Sequence, residues 1–155
     1  MDAALQVALP EGDPCQVGLL VTGDETVQEL NREFRGLDEV TDVLSFSGSG
    51  PGQREGEPEA PDDRPGDSEE TGPPAFVLPP GHPPPLGEVI IACTQARRQA
   101  LERGEPLERE LALLIVHGVL HLAGHDHGGP EETARMQSRE QTALEAIFQT
   151  RTISR

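Results

Sequence analysis

The sequence predicts an α+β fold in which a small mixed sheet packs against helices around one central buried helix. Three observations support this prediction. The 155 residues suit a single domain, 1–155, with a core of its own. Apolar stretches alternate between strand and helix patterns in the order strand, helix, strand, strand, helix, helix, helix. One of these helices is apolar on nearly all sides, and it carries two histidines four residues apart.

The first half of the chain contains two predicted strands separated by a helix. Residues 16–21 form a short apolar stretch, which predicts a buried strand. Asp24 suits the N-cap of the helix that follows, and Gly36 is placed to end that helix. Residues 43–46 predict the second strand. The apolar residues of the helix recur at helical spacing: Val27, Leu30 and Phe34.

Residues 47–85 differ in composition from the rest of the chain. They hold eleven of the fifteen prolines, and eight acidic residues against two arginines. Such a segment has too few apolar residues to offset its chain entropy by burial, so it is predicted to be a disordered or loosely looped insert. We expect a tolerated surface insertion, and the alternative is a regulatory or partner-binding segment.

Beyond the insert, the pattern predicts one strand and three helices. Residues 87–92 predict the strand, and the Arg-rich residues 94–103 predict the first helix, which ends at Gly104. Pro106 suits the start of the second helix, which is apolar nearly all round over 111–122. That helix should therefore be central and buried. Residues 130–149 predict the last helix, with a proline and two glutamates in its first turn.

Charge and composition exclude several classes of protein. The net charge of −16 argues against broad, nonspecific nucleic-acid binding, although a locally cationic cleft is compatible with it. No apolar run is long enough to span a bilayer. Two cysteines do not make a disulfide framework. We therefore expect a cytoplasmic protein with reduced thiols that does not act at a membrane.

Four of the five histidines lie within residues 117–127. His117 and His121 are four apart and project from one face of a helix. Gly124 can end that helix in a left-handed conformation, and the chain can then bring His127 beside the pair. Three neutral imidazoles with an open fourth position are typical of a catalytic zinc site, although nickel or copper would also suit them. His125 is the alternative third ligand.

The spacing His-x3-His-x5-His equals that of the metzincin protease motif, with one difference in chemistry. The glutamate that serves those proteases as general base is replaced by Gly118. Glycine cannot accept a proton from a metal-bound water. A metzincin-like peptidase is therefore a disfavoured alternative.

Three segments follow one another in an order typical of one protein family. Residues 117–127, HGVLHLAGHDH, are similar to H-G-x-L-H-L-x-G-Y-D-H, with histidine instead of tyrosine at position 125. Residues 30–46, LNREFRGLDEVTDVLSF, are similar to L-N-x-x-Y-R-G-x-D-x-x-T-D-V-L-S-F. Residues 86–91, LGEVII, are similar to L-G-D-I-x-I. On these segments the chain resembles the YbeY family, the endoribonuclease-type ribosomal RNA maturation factors of bacteria.

The resemblance implies a metal-dependent endoribonuclease that cuts single-stranded RNA. It implies a role in ribosomal RNA maturation, including the small-subunit 3′ end, and in ribosome quality control. The partners would be ribosomal RNA precursors and the small subunit, with no DNA expected. His117, His121 and His127 correspond to the ligands of one zinc-type ion, and Arg35 to the arginine of the cleft. A non-catalytic assembly factor with a structural metal is the alternative.

The chain departs from the family pattern in two places. Family members begin with a further strand and most of a helix before the segment matched by residues 16–21, and this chain has fifteen residues there. We therefore expect either a late start of the sequence or the lack of an edge strand. Residues 47–85 replace a connection that is short in the family.

Overall fold

The computed structural model describes residues 14–48, 81–125 and 128–152. Within these ranges the chain forms three strands and four helices, in the order predicted from the sequence. Their bounds are β1 Gln16–Thr22, α1 Asp24–Arg35, β2 Val43–Ser47, β3 Pro85–Ala92, α2 Cys93–Arg103, α3 Leu107–Leu122 and α4 Pro130–Thr152. The predicted α+β class is confirmed. None of the described helices combines the length and apolarity that crossing a membrane requires.

The three strands form one mixed sheet in the order β1-β3-β2. The central strand β3 is parallel to β1 and antiparallel to β2. Residues 89–92 of β3 are buried, as expected of a strand covered on both faces. The prediction of a buried strand at 16–21 is wrong, because β1 lies at an edge of the sheet that the described residues form. Its apolar side chains are 43–48% exposed: Leu19, Leu20 and Val21.

Helices cover the two faces of the sheet and divide the core into two clusters. On one face, Val27 of α1 packs with Leu44 and Ile90 of the strands. On the other face, α2, α3 and α4 pack with the alternate strand residues. The buried residues of this larger cluster are Val89, Ile91, Ala96, Leu114, Val116, Val119, Leu120, Leu122, Met136 and Ala143. The period-2 alternation along β3 thus separates the two clusters.

Helix α3 is the central element of the larger cluster. It contacts α2, α4, β2 and β3. Its buried residues include Leu114, Val116, Gly118, Val119, Leu120 and Leu122. The prediction of a central buried helix is therefore confirmed.

The observed helix ends agree in part with those predicted from the sequence. Gly36 and Gly104 both end their helices in the left-handed conformation, with φ of 71° and 67°. Asp24 does not cap α1, because it is already the first helical residue and Gly23 takes the cap position without a side-chain bond. The last helix runs to Thr152, beyond the predicted end at 149.

The predicted insert lies largely outside the described residues. Its two ends are described, and both are paired in the sheet. Ser47 pairs with Gly87 at the end of β2, and Pro85 pairs with Gln16 at the start of β3. Strands β2 and β3 thus extend a short way into the predicted insert, 47–85. Residues 49–80 are not described, so for them the prediction of a loose segment stays a prediction.

Candidate active site

The two helical histidines of α3 lie side by side. His117 and His121 are half-buried near the C-terminal end of the helix. Their rings meet edge-on, with centroids 4.7 Å apart and planes at 73°. Their Nε2 atoms are 3.1 Å apart. The spacing of four residues therefore places both rings on one face of α3 and brings their Nε2 atoms close together.

This geometry fits a shared metal ion. Two Zn–N bonds of about 2.0–2.1 Å at a tetrahedral angle place their nitrogens about 3.3 Å apart. The observed 3.1 Å between the Nε2 atoms is close to that separation. The two imidazoles can therefore supply two adjacent positions of a tetrahedral site.

The chain reverses direction immediately after these histidines. The amide of Gly124 donates to the carbonyl oxygen of His121 at 2.9 Å, and the amide of His125 donates to that of Leu120 at 3.0 Å. These two bonds, with a φ of 88° at Gly124, form a Schellman motif. The predicted left-handed end of the helix is confirmed.

The third predicted ligand, His127, follows this turn in the sequence. Asp126 and His127 are outside the described residues. Within the described ranges, no group of three His, Cys, Asp or Glu side chains is placed to hold a metal. The assignment of His127 as a ligand therefore stays a prediction.

A carboxylate that was not predicted from the sequence contacts His117. Glu140 of α4 lies with its Oε1 2.7 Å from Nδ1 of His117. Its side chain is 15% exposed, and that of His117 is 28% exposed. Nothing in the local sequence distinguishes Glu140 from the other acidic residues of α4. Only the packing of α4 against α3 brings it to the site.

Gly118 faces the sheet and not the histidine pair. A Cβ at this position would lie 2.7 and 2.9 Å from the two methyl carbons of Val89. The hydroxyl of Ser45 donates to the carbonyl oxygen of Gly118 at 3.3 Å. A glutamate here would have no room, so tight packing explains why the protease's general base is missing at this position.

Arg35 lies in the last turn of α1 and is exposed. Phe34 beside it packs edge-on against Phe46 of β2, with ring centroids 5.2 Å apart. Asn31, which is buried, donates from its side chain to the carbonyl oxygen of Glu39 at 2.9 Å. This bond fixes the loop that follows α1 and so helps to set the position of its C-terminal end.

The C-terminal ends of α1 and α3 lie at the same end of the sheet. Phe46 pairs with Glu88 near the start of β3. Leu122, the last residue of α3, packs against the same part of β3. A Cβ added to Gly87 would lie 2.7 Å from its Cδ2. Helices α1 and α3 cover opposite faces of the sheet. Helices α1 and α3 therefore end near the same part of β3, on opposite faces of the sheet.

A cleft of about 640 Å³ opens at this end of the sheet. It is lined by residues 15–18, 46–48, 85, 87 and 88. The lining includes the ring of Phe46 and the exposed carboxylate of Glu88. The cleft therefore lies where β1 and β3 begin and β2 ends.

Comparison with known proteins assigns the family. The model of the family described as endoribonuclease YbeY matches residues 2–148. The chain belongs to this family. The resemblance found in the sequence is confirmed, and so is the prediction of an enzyme of the endoribonuclease class, at the level of the YbeY family.

Individual YbeY proteins align over most of the chain. Endoribonuclease YbeY of Chloroflexus aurantiacus is 42% identical over 137 residues, which are 88% of this chain and 74% of that protein. Endoribonuclease YbeY of Brevibacillus brevis is 41% identical over 151 residues, 97% of this chain and 84% of that protein.

A solved structure supports the fold. The solution structure of a Thermotoga maritima protein superimposes with a TM-score of 0.52 at 21% identity. The match covers 97% of this chain and 81% of the Thermotoga maritima chain. At this identity the similarity shows the fold alone.

Proposed function

We propose that this chain is a metal-dependent endoribonuclease that cuts single-stranded RNA during ribosomal RNA maturation, including that of the small-subunit 3′ end, and in ribosome quality control. The observation that carries the proposal is the 3.1 Å separation of the Nε2 atoms of His117 and His121 in a chain of the YbeY family. The two nitrogens lie close together, and the relative from Chloroflexus aurantiacus is an endoribonuclease.

We assign His117, His121 and His127 as the ligands of one zinc-type ion. Such an ion, when bound, supplies Lewis acidity toward a phosphoryl oxygen or a water. Nickel or copper would suit the same imidazoles. Two of these histidines, His117 and His121, lie within the described residues.

Arg35 is assigned to the phosphate. A guanidinium can hold a phosphodiester through two parallel hydrogen bonds and stabilise the charge that develops on its oxygens. It is exposed in the last turn of α1. In a protein of net charge −16, such a contact has to act locally, because the overall field repels RNA.

Phe34 gives this end of the domain a surface for a base. Its side chain is 46% exposed, and its ring is fixed by the edge-on contact with Phe46. Aromatic side chains beside a phosphate-binding arginine are typical of sites that bind single-stranded RNA, because unpaired bases stack on them. The substrates proposed are ribosomal RNA precursors, with the small subunit as partner and the cytoplasm as location.

A cleavage assay on the full-length protein tests this function. Zinc-loaded protein should cleave a single-stranded RNA oligonucleotide and leave DNA of the same sequence intact. His121→Ala and Arg35→Ala should each lower the rate about 100-fold or more. Arg97→Ala, which removes an exposed arginine of α2, is the matched control and should keep the wild-type rate. Absence of RNA cleavage by the wild-type protein with any divalent metal would refute the proposal.

A second candidate is a ribosome-assembly factor whose metal is structural. It is favoured by the contact between His117 and Glu140, because this contact joins α3 to α4. Circular dichroism of His121→Ala separates the two functions. A folded but inactive variant supports the enzyme, and an unfolded variant supports the assembly factor.

A further inference from the structure

We propose that Glu140 is a positioning residue for His117. Its carboxylate holds the imidazole in the tautomer and orientation that present Nε2 to the ion. This inference rests on the metal site of the proposed function, and it adds a residue of α4 to the two histidines of α3.

The hydrogen-bonding roles follow from the chemistry of a carboxylate. An ionised carboxylate only accepts, so Nδ1 of His117 must be the donor in the 2.7 Å contact with Glu140. A neutral imidazole carries one N–H, and Nε2 of His117 is therefore left with its lone pair. Nε2 of His121 lies 3.1 Å from that nitrogen.

This arrangement prepares the atom that a metal requires. The opposite tautomer of His117 would direct an N–H at the ion and could not bind it. A carboxylate on the far nitrogen also raises the basicity of the ligating nitrogen and fixes the plane of the ring. Because Glu140 is largely buried, water competes little for its oxygen.

Zinc affinity separates positioning from a purely structural tie between α3 and α4. The full-length protein is titrated with Zn²⁺ against a chromogenic chelator. Glu140→Ala should weaken zinc binding about 10- to 100-fold. Glu140→Gln keeps an acceptor oxygen and should lose less. Glu145→Ala is the control, because it removes the same charge from the same helix at an exposed residue that bonds Gln141.

The tautomer of His117 provides a second measurement that needs no metal. Long-range ¹H–¹⁵N spectra of the metal-free wild-type protein should show the proton of His117 on Nδ1. In Glu140→Ala the proton should move toward Nε2. A wild-type spectrum with the proton on Nε2 overturns the inference, whatever the affinity of the variants.

The remaining outcomes are also decisive. If Glu140→Ala binds zinc as tightly as the wild type and only melts at a lower temperature, Glu140 is a structural residue and the proposed function is untouched. If the wild-type protein binds no zinc, both the metal site and the role of Glu140 fail. If Glu140→Ala does not fold, Glu140→Gln and the wild-type spectrum decide the question.

Discussion

The hydroxyl of Ser45 donates a hydrogen bond to the carbonyl oxygen of Gly118, at 3.3 Å, across 73 residues of sequence. It joins β2 to α3 at the turn of helix that carries His117. Val89 of the central strand lies beneath the same glycine. Residues from the three matched segments of the chain therefore meet at one point, and α3 is held close to the sheet beside the candidate metal site.

This close approach predicts that Gly118→Ala destabilises the fold. The added methyl group would lie 2.7 Å from a methyl carbon of Val89, which is buried. Overpacking of this kind costs about 1–3 kcal/mol, against a gain of about 1 kcal/mol in helix propensity. Urea unfolding should show a net loss. Ala134→Gly, at an exposed position of α4, measures the propensity effect alone. A more stable Gly118→Ala protein would contradict the packing described.

A second prediction concerns the buried ion pair between α2 and α3. Glu110 is 2% exposed, and both of its oxygens accept from Nη1 of Arg103 at 2.8 Å. Arg103→Ala leaves a buried carboxylate short of its partner, which costs about 1–3 kcal/mol. The double variant Arg103→Ala, Glu110→Gln should recover part of this loss. A urea-unfolding double-mutant cycle measures the coupling, and additive effects would show that the pair does not interact.

Phe34 is expected to bind RNA and not to take part in cleavage. Phe34→Ala should raise KM for a single-stranded RNA about fivefold or more, since a stacked base contributes about 1–3 kcal/mol. The kcat should change little, and Phe34→Tyr should behave as the wild type because it keeps the ring. Leu101→Ala is the control, since Leu101 is an exposed apolar residue, 77% exposed, on α2. Equal KM values for Phe34→Ala and the wild type would rule out stacking.

Metal removal should lower the melting temperature without unfolding the protein. The larger core cluster is apolar and does not include the histidines. Zinc at a hundred times its Kd should add about 2.7 kcal/mol of stability. Calorimetry with zinc and with a chelator measures the shift, which His121→Ala should abolish. His82→Ala, which removes an exposed histidine, should keep it. Unfolding by the chelator alone would instead indicate a structural metal.

Deletion of residues 49–84 should leave the fold intact. The residues on either side of this segment are already neighbours, since the amide of Gly48 donates to the carbonyl oxygen of Leu86 at 2.9 Å. Shortening a loop between paired strands changes the closure entropy slowly, by about 0.6 kcal/mol for each halving of its length. Melting temperature and RNA cleavage are the measurements. A large loss of either would show that the segment is more than a tolerated insertion.

Local patterns predicted the order of the elements and the helix ends at Gly36, Gly104 and Gly124. These features depend on residues close together in sequence, so the chain itself carries the signal. The exposure of β1 was not predictable, because an apolar run does not reveal whether a strand is central or at an edge. Glu140 was missed for a related reason. Its role depends on which face of α4 packs against His117, and that is a property of the tertiary fold.

The end of α3 also has an electrostatic consequence. This helix of 16 residues ends at Leu122, one residue beyond His121. The aligned peptide dipoles of a helix place the equivalent of about half a negative charge at its C-terminal end. A cation held by the two imidazoles would lie within that field. The backbone of α3 would therefore attract a divalent ion without an additional carboxylate ligand, and the helix would contribute to the site through its direction as well as its side chains.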